Sequence, residues 1–115
     1  MKIEVLYFPD CPNYVPALAL VHEVLAETGI QAEMELVRIE TEANAQRLEF
    51  IGSPTVRVNG VDVDLHGASV ATDFGLRCRL YAEDGQVMGR PSRRMLRDSI
   101  EMCQLAEMDM LGTCC

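Results

Sequence analysis

The chain has 115 residues, is 49% hydrophobic and 24% charged, and carries a formal net charge of −8 at neutral pH. That length makes a single domain whose core needs no metal or disulfide staple, and the acidity excludes nucleic acid or an anionic membrane as a bulk partner. The acidity is uneven: residues 1–76 hold 4 Lys/Arg against 12 Asp/Glu, and residues 77–115 hold 6 against 6.

Residues 2–8 read as a buried strand, because Ile3, Val5, Leu6, Tyr7 and Phe8 form a nearly continuous apolar run. The strand runs into Cys11, and an amphipathic helix follows at once. Asn13 is placed to cap that helix, with Pro16 in its first turn, where no amide hydrogen is needed. Ala17, Leu18, Val21, Val24 and Leu25 recur at helical spacing, and Thr28-Gly29 supplies the stop. A second strand is predicted over Ala32 to Ile39, with Met34, Leu36, Val37 and Ile39 toward apolar neighbours. Thr41 with Asn44 opens a short helix through about Phe50.

Gly52-Ser53-Pro54 punctuates the chain before a third strand, Thr55 to Val58. Asn59-Gly60 is the strongest hairpin signal and joins it to an antiparallel strand over 61–64. Residues 65–75 read as loop. Leu76-Arg77-Cys78-Arg79-Leu80-Tyr81 alternates with period two, which fits a short extra strand. Glu83-Asp84-Gly85 turns the chain, and Pro91-Ser92 leads into a final helix over about 92–108. The expected order is β-α-β-α-β-β-α, an α/β fold with a four-stranded mixed sheet. Right-handed crossovers would make its first three strands parallel, and the hairpin adds the fourth antiparallel. Residues 1–108 thus read as one domain with 65–90 as an extended insertion, and 109–115 as a flexible Cys-Cys tail.

Five cysteines carry the chemistry. Cys11 sits between a strand and the positive end of a helix, a place that favours the reactive thiolate, although the neighbouring Asp10 carboxylate works against a second negative charge. Leu76, Cys78 and Leu80 share one face of the alternating segment, as a buried strand cysteine would. Cys78 is also the best distant partner for Cys11. Cys103 follows Leu96 and Ile100 at helical spacing and reads as core. Cys114-Cys115 offers adjacent thiols of the kind that soft ions such as Hg(II), As(III) or Cu(I) prefer. Met95, Met102, Met108 and Met110 read chiefly as packing residues. His22 and His66 have no zinc-site spacing. Arg90, Arg93, Arg94 and Arg97 crowd the start of the last helix, either as an anion cradle or as a solvated face.

Two motifs carry a resemblance: Tyr7-Phe8-Pro9-Asp10-Cys11-Pro12-Asn13-Tyr14, and Gly52-Ser53-Pro54-Thr55-Val56 followed by Asn59-Gly60. Together with the element order they resemble the thioredoxin-like superfamily over roughly residues 1–64 and the last helix. The resemblance implies a cis proline at Pro54 facing a reactive Cys11, with Pro12, Ser53, Pro54 and Thr55 receiving a substrate backbone. Tyr14 stands where that family's second cysteine would be, as polar residues do in monothiol glutaredoxins, and is placed to donate a hydrogen bond there. The chain is also similar to small bacterial thioredoxin-like proteins labelled alkylmercury lyase-like. The lyase behind that label has a different fold and a multi-cysteine site that does not map onto this chain.

The resemblance therefore implies thiol–disulfide redox chemistry through Cys11, with Tyr14 assisting; the segment carrying Cys78 departs from the family's pattern, and Cys78 enters as a candidate resolving partner from the chain itself. Protein or small-molecule thiols and disulfides are the expected partners. No cofactor is expected, with glutathione as co-substrate at most. Two alternatives stay open: a soft-metal binder using Cys11 with Cys114 and Cys115, or an interaction module that kept the fold without the chemistry. Met1-Lys2 leads into a strand containing Glu4, too short and polar for a signal-peptide core, so a reducing cytoplasm is the expected compartment.

Overall fold

The computed structural model describes residues 1–108. The elements in chain order are β1 (Lys2–Tyr7), α1 (Tyr14–Thr28), β2 (Glu33–Arg38), α2 (Glu42–Arg47), β3 (Thr55–Val58), β4 (Val61–Asp62), α3 (Leu65–Val70), β5 (Tyr81–Glu83), β6 (Gln86–Met88) and α4 (Arg93–Met108). β1 to β4 form one mixed sheet in the order β2-β1-β3-β4, and β5 and β6 form a separate hairpin. This is the thioredoxin-like arrangement of helices around a four-stranded sheet. No helix among the described residues is long and apolar enough to cross a membrane.

The run of apolar residues in β1 is explained by its central place, with a cover on each face. Ile3 and Val5 join Val56 and Val58 of β3 against Leu20, Val21 and Val24 of α1 and Leu96, Ile100 and Cys103 of α4. Leu6 points the other way, into a smaller cluster with Ile39, Ala45 and Phe50. β2 is an edge strand, so its apolar pattern is only half used: Met34 and Val37 are partly buried and Leu36 is 50% exposed.

β1 pairs with β2 in parallel, Val5 opposite Leu36, but with β3 antiparallel, Leu6 opposite Thr55 and Ile3 opposite Val58. The expectation of three parallel strands is therefore corrected. A parallel β3 needs a helix that carries the chain back along the full strand length. α2 has only 6 residues. It seals the end of the sheet through Ala45 and Phe50, so β3 starts beside the end at which β1 finishes.

The turn chemistry follows the residues. Asn59 and Gly60, at φ of 50° and 86°, join β3 to β4, and Asp84 and Gly85, at 52° and 79°, join β5 to β6. Both pairs suit the tight hairpin turn that needs two left-handed residues. β4 stops at Asp62 rather than 64, and residues 65–70 are a helical turn rather than loop. Asp64 starts that turn by accepting from Gly67 N at 3.1 Å. Asn13 precedes α1 with helical torsions and no side-chain cap, and its side chain lies against Gly89 instead. α4 is capped by Ser92, whose Oγ accepts from Met95 N at 3.1 Å.

Candidate functional site

Cys11 closes the turn after β1, its N–H donating to Phe8 O at 3.0 Å, and its side chain is 1% exposed. The thiol lies 3.5 Å from the main-chain oxygen of Ser53 and donates to it. Ser53 begins the loop before β3, and the Ser53–Pro54 peptide bond is cis. The structure thus brings together the two motifs that lie 42 residues apart in the chain.

A third segment, residues 77–79, completes the site. Ser53 N donates to Arg77 O at 2.8 Å, and Arg79 N donates to Ser53 O at 2.8 Å. These two bonds make a one-residue parallel bridge between Ser53 and Cys78. The bridge thereby sets Cys78 beside the Ser53 carbonyl that receives the Cys11 thiol. Interaction with the Cys11 side chain, then partial burial, push the Cys78 thiol up from its ordinary value. Both cysteines are free, Cys11 buried and Cys78 exposed.

Period-two alternation is present over residues 78–81, but its faces are inverted, while Leu76 is partly buried and Arg77 exposed. Leu80 is 69% exposed and Cys78 is exposed, whereas Arg79 and Tyr81 are buried. The reading of Cys78 as a buried strand cysteine is corrected accordingly. Polar partners decide the orientation. Arg79 donates to both oxygens of Asp62, at 2.7 and 2.9 Å, and to Thr55 Oγ1 at 3.3 Å. Its guanidinium sits 4.3 Å above the Tyr81 ring, a cation–π contact. Burial opposes the Arg79 charge, but the hydrogen bond and charge of Asp62 outweigh it, so the guanidinium stays firmly protonated. Tyr81 donates its hydroxyl to Pro54 O at 2.5 Å, and burial drives its phenol far above the ordinary tyrosine range.

These contacts fasten segment 77–81 onto the Ser53–Thr55 loop. Gly52 is part of the fit: at φ of 140°, a Cβ there would lie 2.8 Å from Arg79 Cβ. Thr55 is fully buried and donates its hydroxyl to Gly52 O at 2.6 Å. Ser53 is fully buried too, and its Oγ has no hydrogen-bond partner among the described residues. Of the four residues expected to receive a substrate backbone, only Pro12 faces solvent, while Ser53 and Pro54 lend their main-chain groups to the chain's own segment. Tyr14 stacks on Tyr7, ring centroids 4.3 Å apart. The thiol of Cys11 is engaged by Ser53 O.

The other candidates lie elsewhere. Cys103 is buried in the α4 face of the core, and its Sγ accepts from Asn59 Nδ2 at 3.3 Å. Arg93 and Arg97 both hold Glu27 of α1, Arg97 at 2.7 Å, and Arg94 pairs with Asp84 at 3.5 Å. That part of the arginine cluster ties helices and a turn together rather than forming an open anion cradle. Cys114 and Cys115 lie outside the described residues, and among the described residues no group of three or more His, Cys, Asp or Glu is arranged to hold a metal.

Sequence reasoning missed the Arg79–Asp62 pair and the Tyr81–Pro54 hydrogen bond. The signal available was the alternation itself, read for its polar face instead of its apolar one. No family model, no curated protein and no solved structure matches the chain.

Proposed function

We propose that this protein is a thiol–disulfide redox protein whose working pair is Cys11 and Cys78, two cysteines distant in sequence. The observation that supports the reading is that Ser53 gathers two free cysteines, its carbonyl accepting from the Cys11 thiol and its main chain bridging to Cys78, at the end of a thioredoxin-like sheet. Cys78 thereby does the work that a second cysteine in the Tyr14 position would do. An incoming disulfide is reduced by two electrons as the two thiols join, and an external thiol restores them by the reverse exchange. The fold contributes fixed geometry. Ser53 O accepts from Cys11 and the Ser53 main chain bridges to the segment that carries Cys78.

The test is oxidation in a graded redox buffer followed by peptide mapping. A Cys11–Cys78 disulfide forming as a single two-electron transition is expected. Oxidation that never links these two residues, under conditions where an exposed dithiol closes, defeats the reading.

A further inference from the structure

We infer that Cys78, not Cys11, is the thiol that meets the substrate, and that the substrate is a small disulfide rather than an extended polypeptide. This rests on the Cys11–Cys78 pair proposed above and adds the order of events and the class of molecule. The first half follows from access. Exchange requires the attacking sulfur to approach the disulfide in line, and reactivity tracks exposure. Cys11 is 1% exposed, whereas Cys78 is open to solvent.

The second half follows from what occupies the main chain at Ser53. An extended peptide gains affinity by adding a strand to free N–H and C=O groups on an edge. At Ser53 the N–H is bonded to Arg77 O, and the carbonyl receives both Arg79 N and the Cys11 thiol. Pro54 O is capped by the Tyr81 hydroxyl. Residues 77–79 therefore lie where an incoming strand would pair, and the buried Arg79–Asp62 bond holds them there. A peptide strand finds no edge to join, whereas a small disulfide needs only the sulfur of Cys78.

The steps balance. The thiolate of Cys78 attacks one sulfur of the disulfide, forming Cys78–S–S–R and releasing R–S⁻, which takes up a proton. Cys11 gives up its proton, attacks Cys78 Sγ as a thiolate and expels the second R–S⁻, which is protonated in turn. The products are a Cys11–Cys78 disulfide and two small thiols, with two electrons passed from protein to substrate. Cys11 is the resolving thiol.

The experiment uses the full chain, Cys11→Ser and Cys78→Ser with hydroxyethyl disulfide, each adduct located by mass spectrometry. Cys11→Ser is expected to accumulate the adduct on Cys78, and Cys78→Ser to modify Cys11 at least about tenfold more slowly. Equal or faster modification of Cys11 in Cys78→Ser, or no adduct on Cys78 in Cys11→Ser, overturns the order. The substrate class is read by repeating the wild-type reaction with an unstructured peptide homodimer joined by one disulfide, normalised to the rates of free cysteine with both probes. A peptide rate lower by about tenfold or more is expected, and parity overturns the class. If the wild type holds the adduct on Cys78 and never forms the Cys11–Cys78 disulfide, the pairing fails while the order of access stands.

Discussion

Replacing Arg79 by methionine tests the clamp that builds the site. The Arg79 side chain is 5% exposed and that of Asp62 10%, with two short bonds between them. Removing the cation leaves Asp62 as a largely buried carboxylate whose remaining donor is Asp64 N at 2.8 Å. Breaking a buried pair by deleting one partner costs about 3–5 kcal/mol, because the surviving charge is uncompensated. Losing the Tyr81 cation–π contact adds about 0.5–2 kcal/mol, not strictly additively. Against a total stability of about 5–15 kcal/mol that is a large fraction. With a urea slope of about 1–3 kcal/mol per molar, the midpoint should fall by about 2 M. The assay is urea unfolding of wild type, Arg79→Met, and the double variant Arg79→Met/Asp62→Leu in one buffer. The double variant should recover most of the loss, since a hydrophobic replacement removes the stranded charge. Arg77→Met is the internal control: its partner Asp73 is 71% exposed, and the midpoint should not move. A single Arg79→Met variant within about 1 kcal/mol of wild type would refute the reasoning, because the pair would then not hold residues 77–79 in place.

Four further outcomes are expected. In Cys11→Ala the Cys78 thiol loses the neighbour that raises it, so its alkylation profile should move to lower pH; an unchanged midpoint would show that the two side chains do not interact. The same raised value means that the contribution of Cys78 to stability is full below ~8.5 and lost as pH rises through the folded-state value, so wild type should weaken more steeply in alkali than Cys78→Ser. Gly52→Ala should destabilise by about 1–3 kcal/mol and speed the alkylation of Cys11, since both the positive φ and the 2.8 Å approach to Arg79 oppose a side chain; a neutral effect in urea unfolding would show that the loop can shift. Ser53→Ala should leave both stability and Cys11–Cys78 oxidation nearly unchanged, because only the main chain of Ser53 is engaged; loss of the disulfide on peptide mapping would assign the hydroxyl a role.

Much of the fold was legible because its signals are local. The continuous apolar run of β1 marks a strand covered on both faces, and Asn59-Gly60 marks a turn that few other pairs can make. Thr28-Gly29 ends α1 where expected, with Gly29 at φ of 71°. Strand direction was not legible, since it depends on whether α2 spans the sheet or seals its end, and six residues of sequence do not say which. Within the site, Cys11 and Pro54 could be named from their motifs. The face of residues 76–81 could not. Apolar residues ordinarily point inward, but here a buried carboxylate at position 62 and a backbone oxygen at position 54 draw Arg79 and Tyr81 in and turn Leu80 out. Neither partner is near in sequence, so periodicity alone selects the wrong side.

That inversion also underlies the proposed pairing of the two cysteines. Consecutive residues of an extended segment point to opposite sides. With Arg79 committed to Asp62 and Tyr81 to Pro54, Cys78 has the outward setting while its main chain bridges to Ser53. Ser53 couples the two sides through its main chain alone, its oxygen accepting from the Cys11 thiol and from the amide next to Cys78. A thiol pair fixed in this way does not depend on a short cysteine spacing within one helix. It depends on one buried ion pair, one glycine without room for a Cβ, and a loop whose backbone hydrogen bonds are already made. The same contacts that bring Cys78 to Cys11 occupy the edge on which an extended substrate would pair, so the geometry that supplies the second thiol also narrows what the first can reach.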